Sequence, residues 1–298
     1  MSLRYNGQTR QPTISDLQPF RNNTDPLNIA IGNPNLKQQF SHNFNMDYNS
    51  YKMLTGRNMY AGANFSFIQN AISQVQNVDE SGRRTFQSIN VDGNFNGSGY
   101  FGYGRKLFKQ LHTRLGGHAS FYRTNNFTNG ISNTNDNISL SPNLHVYYYK
   151  DTTFNFSYSF NPRFTSNTSS IRKDIKTQYW TYQQELDASI NLPLKITVGT
   201  TIDWNIRQRV DPNDRNNNVF RWNAYVSKSF LKDRSLVAKV FAYDILNQNV
   251  GYTRHESADY ISENSYNTIT RYLMFSLTWN FTKTGGDAPQ GDGIIIAE

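Results

Sequence analysis

Some short segments carry the residue types of known chemical sites, and their spacing decides whether each can act as one. Residues 97–102 read Gly-Ser-Gly-Tyr-Phe-Gly, which is the glycine spacing of a dinucleotide-binding loop. Such a loop binds a pyrophosphate only where it joins a strand to a helix. Here the segment lies inside a strand-like run that ends at a turn. We therefore interpret these glycines as residues that relieve crowding or bend a strand.

Residues 92–97 match the opening of a calcium-binding loop. The twelfth position of that loop requires a bidentate glutamate, and Tyr103 stands there instead. The alternating Asn and Asp residues are better explained as the polar lining of a strand face. A looser calcium site within residues 211–214 stays open at this point, because oxygen ligands are present but their spacing is uninformative.

Histidine and cysteine usage predicts neither a metal centre nor a nucleophile. The chain has no cysteine, and its five histidines are scattered: His42, His112, His118, His145 and His255. His112 and His118 share a face of one predicted strand, but strand geometry separates them by roughly 20 Å. His42 has lipid-side parity near an outer rim, yet no serine can be assigned to it as the nucleophile of a surface hydrolase. We expect no catalytic, cofactor-binding or metal-binding residue, no cofactor and no enzymatic activity.

The composition favours strands joined by polar loops. The 298 residues are 37% hydrophobic and 14% aromatic, and they include 38 Asn, which disfavours helix interiors. No run approaches the roughly 18 apolar residues of a spanning helix, and residues 1–6 lack the apolar region of a secretory signal. The net charge is +8, but the cations are dispersed, so we expect no nucleic-acid partner.

The strongest pattern is an alternation of apolar and polar residues with a period of two. Phe154, Phe156, Tyr158 and Phe160 fall on one face, while the intervening Asn and Ser residues fall on the other. Successive side chains of a strand point to opposite faces, so such a segment has one apolar and one polar wall. The pattern predicts about twelve strands, near residues 1–6, 38–52, 58–76, 84–103, 109–124, 136–149, 152–166, 176–192, 195–209, 217–231, 235–248 and 267–282.

The connections between these strands alternate in length after the first strand. The short ones are 53–57, 104–108, 150–151, 193–194 and 232–234, and the longer ones are 7–37, 77–83, 125–135, 167–175, 210–216 and 249–266. Such alternation is typical of outer-membrane barrels with short periplasmic turns and longer extracellular loops. We therefore predict an all-β fold, an antiparallel up-and-down transmembrane β-barrel of about twelve strands.

The side chains divide between the two walls of this barrel. Two aromatic belts are predicted, one at each membrane interface. The belt at the strand ends with the longer loops contains Trp180, Trp204 and Trp222, and the belt at the ends with the short turns contains residues 147–149, Trp279 and Phe281. Charges opposite the apolar faces would line a wet lumen, and these are Asp47, Glu185, Asp187, Asp203 and Arg207. Lys239 fits poorly, because it shares a face with Val237, Phe241, Tyr243 and Ile245. Either Lys239 snorkels or the register of that strand differs.

Several motifs resemble a known family. They are residues 10–19 (RQPTISDLQP), 25–28 (DPLN), 32–36 (GNPNL), 40–44 (FSHNF) and 244–247 (DILN), together with a final strand at residues 271–281 that ends in an aromatic residue. The chain thereby resembles the C-terminal barrel of TonB-dependent receptors, specifically the outer membrane beta-barrel protein family, over roughly residues 1–282. Pro12, Pro19, Pro26 and Pro34 predict a stiff, unpaired extracellular excursion in the first loop.

The resemblance implies a nutrient importer in the cell outer membrane, with outer-membrane lipids as its surroundings. Such receptors have about twice as many strands, an N-terminal plug, a signal peptide and a TonB-contacting segment. The resemblance therefore implies a C-terminal fragment that is part of a larger barrel. Its extracellular ligand is unknown, and its coupling to the TonB system needs a plug that this chain does not supply. Loops 7–37, 125–135 and 249–266 are the first places to look for ligand contacts.

Residues 1–282 are predicted to form the barrel segment, and residues 283–298 a flexible periplasmic tail. Two other functions stay open at this point. One is a self-contained twelve-stranded pore or adhesin, since even-numbered barrels from about 8 strands upward exist. The other is a soluble β-sandwich binding module, in which the apolar faces would meet across a dry interior.

Overall fold

The computed structural model describes residues 1–25, 27–173, 176–210, 218–231, 234–256 and 261–281, with backbone alone for 21–25, 176, 255–256 and 261–262. The helix α1 spans Ile14–Leu17. The strands are β1 Ser2–Arg10, β2 Arg21–Asp25, β3 Asn28–Ile31, β4 Gln39–Lys52, β5 Arg57–Gln69, β6 Ala71–Val78, β7 Arg84–Val91, β8 Asn94–Lys106, β9 Leu111–Thr128, β10 Ile131–Lys150, β11 Phe154–Ser169, β12 Lys176–Leu192, β13 Ile196–Arg207, β14 Val219–Phe230, β15 Leu236–Tyr243, β16 Tyr252–Glu256, β17 Ile261–Ser265 and β18 Tyr272–Trp279.

Twelve of these strands follow one another across a single sheet in chain order. The order is β1-β4-β5-β8-β9-β10-β11-β12-β13-β14-β15-β18, and every neighbouring pair is antiparallel. Short turns join the strands at one rim, such as the single-turn helices Met53–Thr55 and Pro193–Lys195. This confirms the predicted all-β, up-and-down transmembrane barrel topology. No helix among the described residues is long and apolar enough to span a membrane.

One register holds from the first strand of this path to the last. A row of directly paired residues crosses six strands on one face: Phe154, Ile190, Val198, Val226, Val240 and Phe275. On the other face a parallel row is polar: Ser157, Asp187, Thr201 and Asn223. We call the first the outward face and the second the inner face. Since side chains alternate along every strand, each pairing passes this division to the next strand.

The apolar side chains of the outward face do not meet one another in a dry interior. Among the described hydrophobic residues, Ala71 and Val91 are buried, and neither is large. In contrast, Phe275 is 69% exposed and Trp279 is 67% exposed. A soluble sandwich must bury such side chains between two layers. The soluble-sandwich alternative is therefore wrong, and the outward face is suited to lipid.

Lys239 belongs to the inner face together with Val237, Phe241 and Tyr243, so of the two predicted alternatives it is the register of this strand that differs, and Lys239 does not snorkel. Val240 pairs directly with Val226 and Phe275, which are outward. The outward residues of β15 are accordingly Leu236, Ala238, Val240 and Ala242. Both faces of this strand are apolar enough to satisfy the pattern, and only the pairing to its neighbours distinguishes them.

The predicted aromatic belts are confirmed for the tryptophans, which face outward, whereas only one tyrosine of residues 147–149 does so. Trp180, Trp204 and Trp222 lie outward near the ends of β12, β13 and β14 that carry the longer loops. At the opposite rim, Trp279 pairs with Leu236 and is outward as well. Within residues 147–149, however, only Tyr148 has outward parity, because its direct partners are Leu111 and Phe156.

Beyond the longer-loop rim the chain builds additional paired structure, which we call the outer cap. It consists of α1, β2, β3, β6 and β7 and the upper ends of β9 and β10, with β3 parallel to β7 and β6 parallel to β9. The first loop is therefore not the unpaired excursion that its prolines predicted. Pro26 lies outside the described residues.

Two predicted strands are interrupted where the outer cap begins. The segment predicted as one strand at 58–76 is two strands. β5 ends at Gln69, and β6 begins after Asn70, whose φ is 50°. The strand predicted at 84–103 breaks likewise at Asp92 and Gly93, whose φ is 86°. The predicted loop 125–135 is instead a continuous hairpin of β9 and β10, turned by Asn129 and Gly130 with positive φ at both.

The register predicts different costs for an arginine at two adjacent positions of the central strand β13. Ile202 is outward, between Leu186 and Trp222, while its neighbour Thr201 faces inward beside Asp187. Ile202→Arg should destabilise the membrane-inserted protein by about 2–4 kcal/mol, because it puts a charge against lipid. Thr201→Arg should cost under about 1 kcal/mol, since that side chain reaches water and a carboxylate.

Reversible unfolding in lipid vesicles, monitored by tryptophan fluorescence, gives the free energy of unfolding of both variants. Equal costs for Ile202→Arg and Thr201→Arg would contradict the assignment of the two faces.

Candidate functional site: inner face and outer cap

The inner face of β12 and β13 carries a set of three carboxylates. Glu185 and Asp203 are direct cross-strand partners, and Asp187 lies one inward position further along β12. Thr201 Oγ1 donates a hydrogen bond to Asp187 Oδ1 over 2.8 Å. Arg221 Nη2 lies 3.7 Å from Asp203 Oδ2 and offsets part of the negative charge. These side chains provide hydrogen-bonding and charged groups along a wet wall, as predicted for the lumen.

A second polar contact joins three strands at the other side of the inner face. Arg4 Nη2 lies 3.0 Å from Asp47 Oδ2, and the Tyr100 hydroxyl donates to Asp47 Oδ1 over 3.0 Å. Tyr100 reaches Asp47 from β8 by lying across Gly62 of the intervening strand. A Cβ at Gly62 would come within 2.5 Å of the Tyr100 ring. The glycine is therefore what brings these groups together.

An aromatic stack covers the inner face of β14, β15 and β18. Tyr225 stacks on Phe241, Phe241 on Tyr243 at 4.1 Å, and Tyr243 on Tyr272 at 4.4 Å between ring centroids. Lys239 Nζ lies 3.9 Å from the centroid of the Tyr225 ring, a cation–π contact. Sequence reasoning missed this stack because it grouped Phe241 and Tyr243 on an apolar face and left the register of this strand open. The signal that could have found it was Lys239 itself, which is costly on a lipid face.

His112 and His145 are diagonal neighbours on the adjacent strands β9 and β10. His112 stacks on Tyr149 and His145 on Tyr147, both on the inner face. Among the residues that the structure describes, no three acidic or histidine side chains cluster as metal ligands do. The side chain of His255 lies outside the described residues.

His42 is on the outward face, as its parity predicted. Its ring stacks on Phe67 at a centroid distance of 4.3 Å, and the Tyr5 hydroxyl lies 2.9 Å from His42 Nδ1. Among the described residues, the contacts of the His42 ring are to aromatic side chains, and no serine hydroxyl is hydrogen-bonded to it.

The two glycine-containing motifs have structural roles. Gly102 pairs directly with Tyr60 in β5, and a Cβ there would lie 2.1 Å from the Tyr60 ring. The segment remains within strand β8, so the structure provides no strand-to-helix junction for a dinucleotide. Asp92 Oδ1 accepts a hydrogen bond from the Asn70 amide at 2.8 Å, which supports the turn into β8. Residues 211–214 lie outside the described part of the chain.

Within the outer cap, α1 is held against β7 and against the residues that follow β3. Thr13 Oγ1 accepts from the Asp16 amide, and Asp16 Oδ2 accepts from the Thr13 amide, which is a capping box. Ser88 Oγ of β7 donates to Asp16 Oδ1 over 3.0 Å. The Asn33 amide donates to the Asp16 carbonyl, and its side chain donates to the Ser88 carbonyl. The motif residues 10–19 and 32–36 thus fix the first loop against β7.

The loop 249–266 forms its own two-stranded sheet from β16 and β17. Arg254 Nη1 lies 2.7 Å from Glu263 Oε1, and the Tyr252 hydroxyl donates to the same carboxylate over 2.8 Å. Burial, followed by this hydrogen bond to Glu263, raises the pKa of Tyr252. The three loops in which ligand contacts were expected therefore contain ordered, paired backbone where they are described.

Asp244 anchors the DILN motif at the end of β15. Its buried carboxylate accepts from the amides of Gln248 and Asn249 at 2.9 and 3.0 Å. Its own amide donates to Asn223 Oδ1 over 2.9 Å. The Asp244 φ of 46° ends the strand, and the turn that follows presents Asn249 to the segment before β18 through the Ile269 carbonyl. The motif is a strand-ending turn rather than a chemical site.

A pocket of about 370 Å³ lies where the barrel sheet meets the outer cap. Its walls come from residues 67–70 and 92–95, the two interruption points of the sheet. Its volume falls within the range of roughly 300–1,000 Å³ that small-molecule sites occupy. Phe67 and Phe95 supply apolar surface, while Asp92 and Asn94 supply oxygen and amide groups.

The glycine contacts predict opposite outcomes at two positions of the same motif. Gly102→Ala should lower the free energy of unfolding by about 1–3 kcal/mol, because the new methyl displaces the Tyr60 ring. Gly99→Ala should be nearly neutral, since its Cβ would find its nearest neighbour, the Gly62 carbonyl, at 3.6 Å. Denaturant titration of both variants in detergent measures the difference, and a neutral Gly102→Ala would contradict the packing interpretation.

The capping box predicts that the outer cap loosens in acid. The hydrogen bond from Thr13 lowers the Asp16 pKa below its ordinary 3.8, despite opposing desolvation. A depressed native pKa stabilises the fold above the unfolded-state pKa, and that stabilisation is lost as the pH falls through the native pKa. The protection of the Thr13 amide against hydrogen exchange, relative to the intrinsic exchange rate at each pH, should therefore fall as the pH drops below about 4.

Asp16→Asn, compared with native protein in the same exchange experiment, should show faster exchange at neutral pH and a weaker acid dependence. An unchanged acid dependence would assign the loosening to other groups of the outer cap.

Comparison with known proteins gives one family. Residues 1–172 and 132–279 match the outer membrane protein beta-barrel family, so the matched ranges together span nearly the whole chain. Neither the curated proteins nor the solved structures include a match to this chain. The matched ranges contain all twelve strands of the barrel path, its outward apolar face and the outer cap. The chain belongs to the outer membrane protein beta-barrel family and is a barrel protein of the cell outer membrane.

Proposed function

We propose that the chain forms the wall of a TonB-dependent receptor-like transporter for nutrient uptake and that it is not an enzyme. The observation that carries this proposal is the outer cap, an ordered extracellular structure built directly on strands with a polar inner face. A simple pore needs the wall alone, whereas an importer also needs a surface that captures its ligand. The ligand-binding residues stay unassigned.

In this proposal the ligand arrives at the outer cap and passes along the inner face. The aromatic stack and the carboxylates of β12 and β13 offer apolar and hydrogen-bonding contacts along that route. By the resemblance to TonB-dependent receptors, a plug closes the lumen and an inner-membrane energy complex displaces it. The plug and the TonB complex are thus proposed partners, beside the outer-membrane lipids and an extracellular ligand.

We further propose that these twelve strands are the C-terminal part of a larger barrel. Support comes from the two edges of the described sheet, since β1 pairs with β4 and β18 pairs with β15, and no described strand covers their other sides. Unpaired backbone groups are costly in hydrocarbon, so each edge requires a partner. The alternative is a self-contained pore or adhesin in which β1 and β18 pair, which the even number of strands permits.

The absence of native cysteines makes disulfide trapping a clean test of these alternatives. Ser276→Cys on β18 is combined in turn with Arg4→Cys, Asn6→Cys and Gln8→Cys on β1, all on the inner face. The larger barrel predicts no cross-link within one chain in isolated outer membranes. A cross-link between β1 and β18 would support the self-contained pore instead.

Asn6→Cys with Asn43→Cys is the positive control, because these residues are direct partners in the β1–β4 register. The transport proposal also predicts an in-frame plug and signal sequence in the DNA upstream of the Met1 codon. Steady conductance of planar bilayers by the 298 residues alone would favour the pore.

A further inference from the structure

Three cations stand side by side on the outward face at the short-turn rim. Lys52 and Arg57 are direct partners at the ends of β4 and β5. Asn58 pairs with Gly104, so the next residues towards the rim, Arg57 and Arg105, face each other across β5 and β8. We call Lys52, Arg57 and Arg105 the rim triad. All three have the parity of the outward apolar residues on their strands.

The rim triad lacks a described counter-charge. Like charges placed directly opposite one another destabilise a strand pair, and neighbouring partners on a sheet are only about 5 Å apart. Among the described residues, no carboxylate forms an ion pair with any member, since the described pairs lie elsewhere. An anion held between the three side chains would turn this repulsion into attraction.

The opposite rim shows what a compensated outward cation looks like. Arg123 has outward parity near the end of β9 that leads into the outer cap, and Asp136 is its direct partner on β10. Arg123 Nε lies 2.6 Å from Asp136 Oδ1, and a second hydrogen bond joins the same two side chains. Among the residues that the structure describes, the chain therefore supplies its own anion at one rim and none for the rim triad.

Apolar side chains flank the rim triad on the adjoining turns. Met53, in the turn between β4 and β5, is 81% exposed, and Phe108, in the turn after β8, is 73% exposed. A surface that lies at the boundary between headgroups and acyl chains typically combines cationic side chains with exposed apolar ones. A soluble anion would use the charges alone and leave these side chains in water.

We propose that Lys52, Arg57 and Arg105 bind the phosphate of an anionic phospholipid in the inner leaflet of the outer membrane. The outward parity directs the three side chains towards lipid, their position at the strand ends puts them at headgroup depth, and the short turns assign them to the periplasmic side. The site depends on the orientation of the barrel in its membrane and not on the proposed transport function.

The experiment uses the full chain, purified and reconstituted in phosphatidylethanolamine nanodiscs that contain a minor fraction of phosphatidylglycerol. Native mass spectrometry after detergent release reports which lipid stays bound. Native protein should retain phosphatidylglycerol preferentially. In the triple variant Lys52→Gln, Arg57→Gln and Arg105→Gln this preference should fall by about tenfold, as expected for the loss of several cations near a membrane surface.

The matched control is the triple variant Arg10→Gln, Lys106→Gln and Arg114→Gln, which removes the same charge from the inner face. It should keep the native lipid preference. Equal losses in both triple variants would reduce the effect to net charge and overturn the site, as would no loss in either. Inorganic phosphate that binds native protein and displaces the lipid at equal concentration would overturn the lipid assignment.

Two further variants keep the test decisive if the rim-triad glutamine variant does not fold. Lys52→Arg with Arg57→Lys preserves both charges and should retain the lipid preference. Arg57→Gln alone should lose about twofold. Circular dichroism monitors β-structure in every sample, and a folded Arg57→Gln with native preference would count against the proposal.

Discussion

A single division of side chains, carried unbroken through eleven strand pairings, governs this molecule. In hydrocarbon every backbone amide and carbonyl must be paired, so the strands have to stay in hydrogen-bonded register. A slip of one residue would turn the row from Phe154 to Phe275 inward and expose Asp187 and its neighbours to lipid. Register and membrane insertion are thus the same constraint, and the absence of a large buried side chain among the described residues follows from it.

The tyrosine side chains of the inner face lie close to the strand backbone because their rings lie across glycines. Tyr60 covers Gly102, Tyr100 covers Gly62, and Tyr225 covers Gly199, each pair being direct cross-strand partners. A ring that lies flat over a glycine buries its face on the backbone and projects less into the lumen than an upright one. This arrangement lets β-favouring residues stabilise the wall without filling the passage, and it brings Tyr100 within reach of Asp47.

The sequence predicted the part of the fold that alternation encodes. The twelve-strand path and the outward tryptophans follow from local periodicity, and so does the inward position of Glu185. The exceptions have physical causes. In β15 both faces are apolar, so the parity of Lys239 depended on partners remote in sequence. The outer cap depended on turns: Asn129 and Gly130 are a recognisable hairpin signal, whereas the parallel pairing of β3 with β7 has no local signature.

The two edge strands set the remaining physical requirement. Ser2–Arg10 of β1 is hydrogen-bonded along one side by Gln39–Asp47, and β18 is paired along one side by β15. The outward residues of both edges are uncharged, as Leu3 and Phe275 illustrate, so on the lipid side neither edge is protected by charge in the way that soluble sheets protect theirs. Water cannot satisfy the free backbone groups at that depth. An edge with this composition is stable only against another strand, and the identity of that strand, β1 for β18 or an added segment, determines how wide the lumen is.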